Sequence, residues 1–434
     1  MRWPCRRETL TADFRALRFP RRRSLLYTPT MDTITHGIAG ALIGKAVFRG
    51  DEMFALRPMN RGRVVTWSLM LGAIFPDSDV FREMFSHNQL LILTWHRSIT
   101  HSLICLPIFA VVLAALTGWF ARWRKWDAPS FAALAGIYAI GIASHIAMDL
   151  ITSFGTMIWS PLQWSRPAWD LIFIIDFTFS AILLVPQVLP WVYAKPEGLQ
   201  KRALGSWFVF AIGTLAVAGI AQIVGAPISV EAILSAIVIL AAIFLLPSLR
   251  GFGLKVKRAS WNLAGVLVAL CYIAMAFYAH TIALDRVQKF AALEHLDVQS
   301  FGALPLPPSI WHWDGLIRAP RGVYETRINF AGASDEALAE GVTNSPQALP
   351  LEYRFYPDAP ANSYIDAAKR LPQVQTVLWF ARFPVTRFHK EGSDAIVEIS
   401  DLRFPHVRPD RPASFTYQVR FGANGTVLSQ GWSK

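Results

Sequence analysis

The stretch SWFVFAIGTLAVAGIAQIVG, residues 206–225, contains no Asp, Glu, Lys or Arg. A run of about 20 apolar residues is what an α-helix needs to cross the hydrocarbon core of a bilayer, so this segment predicts a transmembrane helix. Comparable apolar segments, some with a single charged residue, occupy residues 101–120, 131–151, 171–191, 229–247 and 261–283, and shorter ones occupy 33–48 and 64–76. The fold class that follows is a polytopic α-helical membrane protein of about eight spans.

The composition of the whole chain supports a membrane protein. Of its 434 residues, 53% are hydrophobic and 17% are charged, and the mean hydropathy is +0.35, whereas soluble domains average about 25% charged residues. A disordered, collagen-like or coiled-coil protein is excluded. The net charge of +12 argues little for nucleic-acid binding, because the basic residues lie in short tracts between apolar segments. We therefore expect the lipid bilayer, and no nucleic acid, as a partner.

The charge of the connections predicts the orientation of the spans. Lys and Arg concentrate in residues 49–63, 121–127, 195–202 and 248–260, and the alternate connections at 77–100, 152–170 and 226–228 contain fewer of them. The positive-inside rule places the four basic connections in the cytoplasm and the others outside. Everything after about residue 284 then lies outside as well.

Residues 1–30 do not fit this orientation. They contain eight Arg, including Arg21, Arg22 and Arg23, and such a basic tract resists translocation across a membrane. They lack the apolar core of a secretory signal peptide. Two interpretations stay open: Met31 is the true start and the tract is not translated, or the tract is a cytoplasmic tail and the first span is only partly embedded.

The composition changes near residue 285, where the predicted membrane domain of residues 31–284 ends. Short runs of alternating polar and apolar residues, bounded by Gly, Pro, Asp and Asn, are typical of half-buried β-strands. Such runs occur at 323–330, 352–356, 377–383, 395–399 and 415–421. Residues 285–434 are therefore predicted to form a β-rich domain outside the membrane.

Four segments place His or Asp residues beside apolar spans, where ionisable groups are costly and usually functional. In the segment 145–156, His145 and Asp149 are four residues apart, a spacing that directs both side chains to one face of a helix. An imidazole nitrogen and a carboxylate oxygen presented together suit Zn²⁺ or Mn²⁺. The alternative is a hydrogen-bonded structural pair.

The next segment contains two histidines, His96 and His101, about 140° apart on a continuous helix. They can converge only if one of them precedes the helix, and Ser98 and Thr100 are plausible N-caps for such a helix start. Arg97 could hold an anionic substrate oxygen or balance a carboxylate. The alternative is an interfacial anchor with capping histidines.

The other two segments lie at the ends of the short spans. Asp77 and Asp79 follow Pro76, which ends the second span, and two acids this close repel each other in a low-dielectric site unless a cation lies between them. A solvated turn is the alternative for either acid. His36 opens the first span together with Asp32, for which an ordinary helix cap is the simpler interpretation.

The predicted orientation brings all four segments to the outer membrane face, and this agreement favours one joint metal site. Asp170 and Asp176 lie near it, the first before the fifth span and the second inside it. Asp176 is the stronger candidate for a ligand, or for a group that orients a ligand, because it lies in an otherwise uncharged stretch.

The segments 31–40, 76–79, 96–102 and 145–156 together resemble the bacterial family called membrane-bound metal-dependent hydrolases, often labelled LexA-regulated. The resemblance covers residues 31–180 by motif, and the motif order is also similar to the zinc-dependent phospholipase C and nuclease superfamily. It implies an inner-membrane protein with metal-dependent hydrolase activity, whose outer domain would be periplasmic. The implied metal-site role carries over to six residues: His36, Asp77, His96, His101, His145 and Asp149.

We expect a membrane-bound hydrolase that holds two or more divalent ions, Zn²⁺ or Mn²⁺, at the outer membrane interface. Metal-activated water would attack a phosphoester or other ester bond of a lipid-like substrate. Arg97 would steady the developing negative charge, and Asp79 would act as the base. Two other classes stay open: a divalent-metal transporter with the same ligands, and a nonenzymatic envelope protein with a structural metal site.

Overall fold

The computed structural model describes residues 30–48, 59–86, 88–223, 228–249, 251–330, 353–404 and 415–433. The predicted basic extension, except for its last residue, lies outside these ranges. So do most of the predicted connection 49–63 and the side chain of Asp32.

Helices dominate the first two thirds of the chain, as the hydropathy pattern predicts. In chain order they are α1 (Thr30–Ala46), α2 (Arg61–Ile74), α3 (Val80–Met84), α4 (Leu91–Thr94), α5 (Leu106–Trp123), α6 (Phe131–Leu150), α7 (Phe177–Val192), α8 (Leu199–Ile223), α9 (Val230–Leu249) and α10 (Arg258–Leu293). A 3-10 turn, Phe75–Asp79, joins α2 to α3.

Six helices in the described ranges are long and apolar enough to cross a membrane: the joined helix Arg61–Arg82, α5, α6, α8, α9 and α10. The shorter helices α1 and α7 have 17 and 16 residues. The predicted polytopic helical fold is confirmed, and the count reaches about eight when the two shorter helices are included.

The predicted start of the third span is wrong. Residues Ile99–His101 form a separate 3-10 turn, and α5 begins only at Leu106, with Pro107 in its first turn. Proline favours the first turn of a helix because its missing N–H has no partner there in any case. Ser98 and Thr100 therefore do not cap the span, and both histidines of this segment precede it.

Glycines allow α2 to approach both α1 and α6 closely. A Cβ atom added to Gly40 of α1 would lie 2.6 Å from the Leu69 carbonyl oxygen on α2, and one added to Gly141 of α6 would lie 2.8 Å from the same oxygen. Small residues permit such backbone contact between membrane helices, whose association depends on close packing. The three helices therefore pack as one tight unit.

Replacing Gly141 with Val is expected to separate α6 from α2. The added Cβ would also lie 3.1 Å from the Ala73 amide nitrogen, so the clash is with backbone that cannot rotate away. Overpacking of this kind costs about 1–3 kcal/mol of stability or more. Thermal unfolding in detergent should show a lowered midpoint for Gly141→Val.

Gly136 on the same helix is the matched control, because nothing lies within 4 Å of a Cβ added there. Gly136→Val should unfold near the wild-type midpoint. Equal midpoints for the two variants would contradict the close contact between α6 and α2.

The C-terminal part contains two four-stranded antiparallel sheets, ordered β1-β2-β3-β4 and β5-β6-β7-β8. The strands are β1 (Ser300–Leu306), β2 (His312–Ala319), β3 (Gly322–Asn329), β4 (Tyr353–Pro357), β5 (Pro384–Glu391), β6 (Asp394–Asp401), β7 (Thr416–Phe421) and β8 (Val427–Trp432). Two short helices, α11 (Ser363–Lys369) and α12 (Pro372–Phe380), lie between β4 and β5. The predicted β-rich domain is confirmed, and four of its five predicted strands overlap β3, β4, β6 and β7.

The fifth predicted strand, residues 377–383, is wrong because most of this run belongs to α12. Pro372 occupies the first turn of the helix, and Val374, Val377 and Phe380 are buried at a spacing of three residues. This spacing places the three side chains near one face of a helix. Packing of that face against the domain core outweighs the strand preference of the individual residues.

The C-terminal domain packs against the membrane domain where α6 ends. Phe154, just after α6, contacts Phe380 and Phe415 at ring-centroid distances of 5.1 and 6.2 Å. The Trp432 ring nitrogen donates to the Gln89 carbonyl oxygen at 2.9 Å. The domain thus contacts both the segment before α5 and the segment after α6.

Candidate metal centre

Five of the six predicted ligands meet at one end of the helix bundle. His36 lies near the start of α1, Asp77 in the turn that ends α2, His101 in the turn before α5, and His145 and Asp149 near the end of α6. All but Asp77 are buried, with at most 1% of the residue surface exposed. Segments far apart in the sequence thus converge, as the charge of the connections predicts.

His145 has one ring nitrogen committed to the backbone. Its Nδ1 lies 2.6 Å from the Ala73 carbonyl oxygen, and because a carbonyl can only accept, Nδ1 carries a proton. In the neutral ring, Nε2 then offers a lone pair, as in a metal-ligating histidine with a fixed orientation. This Nε2 faces His101 Nε2 at 3.0 Å and one oxygen each of Asp149 and Asp77 at 3.4 Å.

His101 directs its Nε2 to the same point. This atom lies 3.1 Å from Asp149 Oδ2 and 3.7 Å from Asp77 Oδ1. On the other side of the ring, Nδ1 lies 3.1 Å from the Thr100 hydroxyl and 3.5 Å from Asp79 Oδ2. Polar partners at Nδ1 orient the ring and leave Nε2 for the cluster.

The spacing of these atoms fits the ligand shell of one ion. Ligands bound at about 2.0–2.2 Å with tetrahedral angles lie about 3.3–3.6 Å from one another. The observed separations, among Nε2 of His101 and His145 and oxygens of Asp77 and Asp149, run from 3.0 to 3.7 Å. Two nitrogen lone pairs this close repel each other unless a proton or a cation lies between them.

His36 completes a second, overlapping group. Its Nε2 lies 3.3 Å from Asp149 Oδ1, and its ring stacks on that of His145 at a centroid distance of 3.7 Å. Ligand-type atoms of His36, Asp77 and His145 lie within 4.8 Å of one another, as do those of His101, His145 and Asp149. His145 belongs to both groups. Because its Nδ1 is bonded to the Ala73 carbonyl oxygen, it can offer Nε2 alone, and the single lone pair of Nε2 binds one ion.

His96 and Asp79 lie beside this cluster. His96 Nδ1 is 3.1 Å from Asp79 Oδ1, and the Arg97 amide donates to Asp79 Oδ2 at 2.9 Å. Among the described residues, His96 belongs to neither group of converging ligand atoms. The Asp79 side chain is less exposed than that of Asp77, at 1% against 8%, and it contacts both His96 and His101, so the geometry favours an orienting role for Asp79 over the predicted role of base.

Arg97 has a backbone φ of 58°, in the left-handed region that non-glycine residues rarely adopt. Its Nη2 lies 2.9 Å from Asp149 Oδ1, and its Nη1 donates to the Thr152 hydroxyl at 2.9 Å. Two roles were considered for Arg97, binding of an anionic substrate oxygen and balancing of a carboxylate. The contact with Asp149 corresponds to the second. Unusual backbone of this kind clusters at functional sites, where surrounding contacts hold it.

Asp170 and Asp176 lie outside the cluster. Asp176 precedes the fifth span instead of lying inside it, and it accepts from two backbone amides in the first turn of α7 at 2.9 and 3.1 Å. It also accepts from the hydroxyls of Tyr272 at 2.7 Å and Ser309 at 2.6 Å. Asp170 pairs with Arg382 at 2.8 Å. Structural donors engage both oxygens of Asp176, so the geometry favours a structural role over that of a metal ligand or of a group that orients one.

Two residues of the site were missed from the sequence. The Thr33 hydroxyl donates to Asp77, and its position one helical turn before His36 is a signal that could have indicated it. Arg166 donates to the His96 carbonyl oxygen at 3.1 Å. Arg166 lies in a polar connection between two spans, and no sequence pattern there indicates that it belongs to the site.

The site lies in the part of the chain that resembles known proteins. Residues 31–226 match the family YdjM inner membrane protein. This YdjM-like region contains all six predicted ligands. The name of the family gives a location, the inner membrane, and no activity. No curated protein and no solved structure matches the chain. Together with the six long apolar helices, the match shows a membrane protein.

Proposed function

We propose that the protein is a membrane-bound metal-dependent hydrolase that cleaves a phosphoester or other ester bond of a lipid-like substrate. The observation that carries the proposal is the convergence of Nε2 of His101 and His145 with oxygens of Asp77 and Asp149 at 3.0–3.7 Å. Neutral imidazole and carboxylate are the usual ligands of hydrolytic zinc sites and also suit Mn²⁺.

The charges of the cluster support one divalent ion. The carboxylates of Asp77, Asp79 and Asp149 have one guanidinium, that of Arg97, in direct contact with Asp149. Buried charge without compensation is costly, and a divalent cation would offset negative charge of these carboxylates if the histidines are neutral. Since both ligand groups depend on His145, we propose one ion instead of the two or more that the sequence pattern favoured.

The residues of the cluster have distinct roles in this proposal. A bound divalent ion would lower the pKa of a coordinated water and polarise the ester. His101, His145 and Asp149, one of the two groups described above, would hold it, and Asp77, which the sequence pattern favoured as a ligand, would lie beside the remaining coordination position. Asp77 has the most exposed side chain of the cluster, at 8%, and is oriented by the Thr33 hydroxyl. We therefore assign Asp77 to the open side of the site, where its carboxylate can accept a proton from the attacking water.

The lipid-like substrate class follows from the surroundings of the cluster. The cluster lies at the ends of membrane-spanning helices, and a small cleft beside it is lined by polar and apolar side chains, among them Thr35, Met148, Thr152 and Phe179. A site at the ends of membrane-spanning helices is within reach of the amphiphilic molecules of the bilayer, and this location is what favours a lipid-like substrate. By the positive-inside rule, we propose that this end of the bundle and the C-terminal domain lie on the periplasmic face of the inner membrane.

Hydrolysis by the detergent-purified protein tests the proposal. The assay uses chromogenic phosphomonoester, phosphodiester and carboxylic-ester substrates and a short-chain phospholipid. We expect turnover that chelation abolishes and added Zn²⁺ or Mn²⁺ restores. Asp77→Asn should lower kcat by about 100-fold or more, because loss of a general base costs about 10²–10⁴-fold.

Asp285→Asn is the matched control, because this exposed acid on α10 pairs with Lys289 at 2.7 Å and is not part of the cluster. It should retain wild-type turnover. Turnover that survives both chelation and Asp77→Asn would overturn the proposal. The full burial of His101, His145 and Asp149 favours a second candidate, a structural metal site with closed coordination, and stoichiometric metal without turnover on any substrate would support it.

A further inference from the structure

Guanidinium groups and phenyl rings alternate between the metal centre and the C-terminal domain. Arg97 Cζ lies 5.2 Å from the centroid of the Phe154 ring, and Arg166 Cζ lies 4.8 Å from the same ring. Arg166 Cζ is also 5.3 Å from the Phe380 ring, and Arg403 Cζ is 4.5 Å from it. We call the series Arg97–Phe154–Arg166–Phe380–Arg403 the arginine–phenylalanine stack. Each cation lies within cation–π distance of a ring.

Arg166, in the middle of the stack, joins the backbone segments on both sides of the site. It donates to the carbonyl oxygens of His96 and Gly155 at 3.1 Å each, and to that of Leu93. His96 is followed by Arg97 and, a few residues later, by the candidate ligand His101, whereas Gly155 follows α6 and its candidate ligands. One guanidinium therefore bridges the segment before α5 and the segment after α6, which a backbone hydrogen bond from the Met157 amide to the Arg97 carbonyl oxygen, at 2.9 Å, also joins.

Arg403 makes the corresponding link from the C-terminal domain. It is buried, pairs with Asp401 at 2.7 Å, and donates to the Phe380 carbonyl oxygen at 2.7 Å. It also donates to the Ser153 carbonyl oxygen, at 3.1 Å, in the segment after α6. The planar fork of arginine can hold several acceptors in fixed directions at once, which lysine cannot.

The stack brings three positive charges close together. Burial, followed by the like charges of Arg97 and Arg403, lowers the pKa of Arg166 to about 9, so the group still carries its charge at neutral pH. Like charges held near one another in a buried region disfavour packing. The hydrogen bonds of Arg166 give a reason for this arrangement. Every carbonyl oxygen that accepts from Arg166 lies in a segment that carries or adjoins candidate ligands.

We propose that Arg166 and Arg403 are positioning residues through which the C-terminal domain fixes the two ligand-bearing segments around the metal ion. The inference rests on the proposed metal centre. It makes the C-terminal domain a structural part of that centre, in contrast to a separate module that only covers it. Neither arginine touches a ligand side chain, so both act through the backbone of the segments that they hold.

Metal affinity and the visible spectrum of the Co²⁺-substituted protein test this inference. Arg166→Met and Arg403→Met keep much of the side-chain length but remove the donors. We expect each to weaken Co²⁺ affinity, measured by chelator competition, by about 10- to 100-fold, as for other outer hydrogen-bond partners of metal sites. The Co²⁺ ligand-field bands should shift, and Arg166→Lys should not restore them, because its ammonium lacks the planar fork.

Arg318 provides the control in the same domain. It donates to the Pro384 carbonyl oxygen at 2.7 Å and pairs with Asp358. Arg318→Met removes a comparable set of bonds without touching the stack, so it should leave Co²⁺ affinity and spectrum unchanged. If Arg403→Met does not fold, Phe380→Leu carries the test, because it removes the ring between two cations and should shift the same bands.

The inference would be overturned if folded Arg166→Met and folded Arg403→Met both kept the wild-type Co²⁺ affinity and spectrum. Where Arg403→Met does not fold, Phe380→Leu takes its place in this comparison. The same holds if Arg318→Met shifts the Co²⁺ bands as much as they do, because the effect would then be a general loss of domain stability. A wild-type protein that binds no Co²⁺, Zn²⁺ or Mn²⁺ would instead overturn the metal centre itself. The two failures are thus distinguished by the wild-type measurement alone.

Discussion

His145→Ala is expected to abolish stoichiometric metal binding. His145 is the one residue that belongs to both ligand groups, and its Nε2 faces His101, Asp149 and Asp77 at 3.0–3.4 Å. Loss of an outer hydrogen-bond partner costs metal affinity about 10- to 100-fold, so loss of a direct ligand should cost about 100-fold or more. Mass-spectrometric metal analysis in chelator-free buffer should find near one equivalent of Zn²⁺ or Mn²⁺ in the wild type and almost none in the variant.

His280→Ala is the matched control. This histidine lies on α10, stacks on Trp313 at a centroid distance of 5.3 Å and belongs to neither ligand group. It should retain the wild-type metal content. Metal retained at one equivalent in His145→Ala, or lost equally in both variants, would contradict the assignment. His145 is a cleaner target than Asp149, whose removal would also leave Arg97 without its carboxylate.

Asp176→Ala is expected to destabilise the protein strongly while leaving metal binding in the folded fraction unchanged. The buried carboxylate caps α7 and accepts from the hydroxyls of Tyr272 and Ser309. Each buried donor left without an acceptor costs about 1–3 kcal/mol, and loss of the helix cap adds about 1 kcal/mol. We therefore expect a total loss of at least about 3 kcal/mol, measured as a lowered unfolding midpoint in detergent.

Asp176→Asn is the companion variant, because its amide oxygen can still cap the helix. It should unfold between Asp176→Ala and the wild type. The opposite pattern, with metal lost and the unfolding midpoint unchanged, would show that Asp176 is a ligand after all. The two variants therefore separate a structural carboxylate from a metal-binding one at a position where the sequence favoured the latter.

The site illustrates which relations between residues are readable from a sequence. The spacing of His145 and Asp149 indicated a shared helical face because that relation is local, and the two side chains do lie 3.4 Å apart. The spacing of His96 and His101 could not show which of them faces the cluster, because both precede α5 and they do not share one continuous helix. Asp79, from a different segment of the chain, contacts His96, and this contact leaves His101 as the histidine that faces the cluster.

The sequence by itself determined the class of the protein, the approximate positions of its spans and the gathering of its ionisable residues at one end of the bundle. Hydropathy, helical spacing and the charge of connections are patterns over a few residues to a few tens of residues, so they can be recognised in a single sequence. Tertiary structure alone decided that residues 377–383 pack mostly as a helix, that Asp176 is a cap, and that Arg166 joins two distant backbone segments. Each depends on partners far away in the chain, whose contacts exist only once helices and sheets have packed.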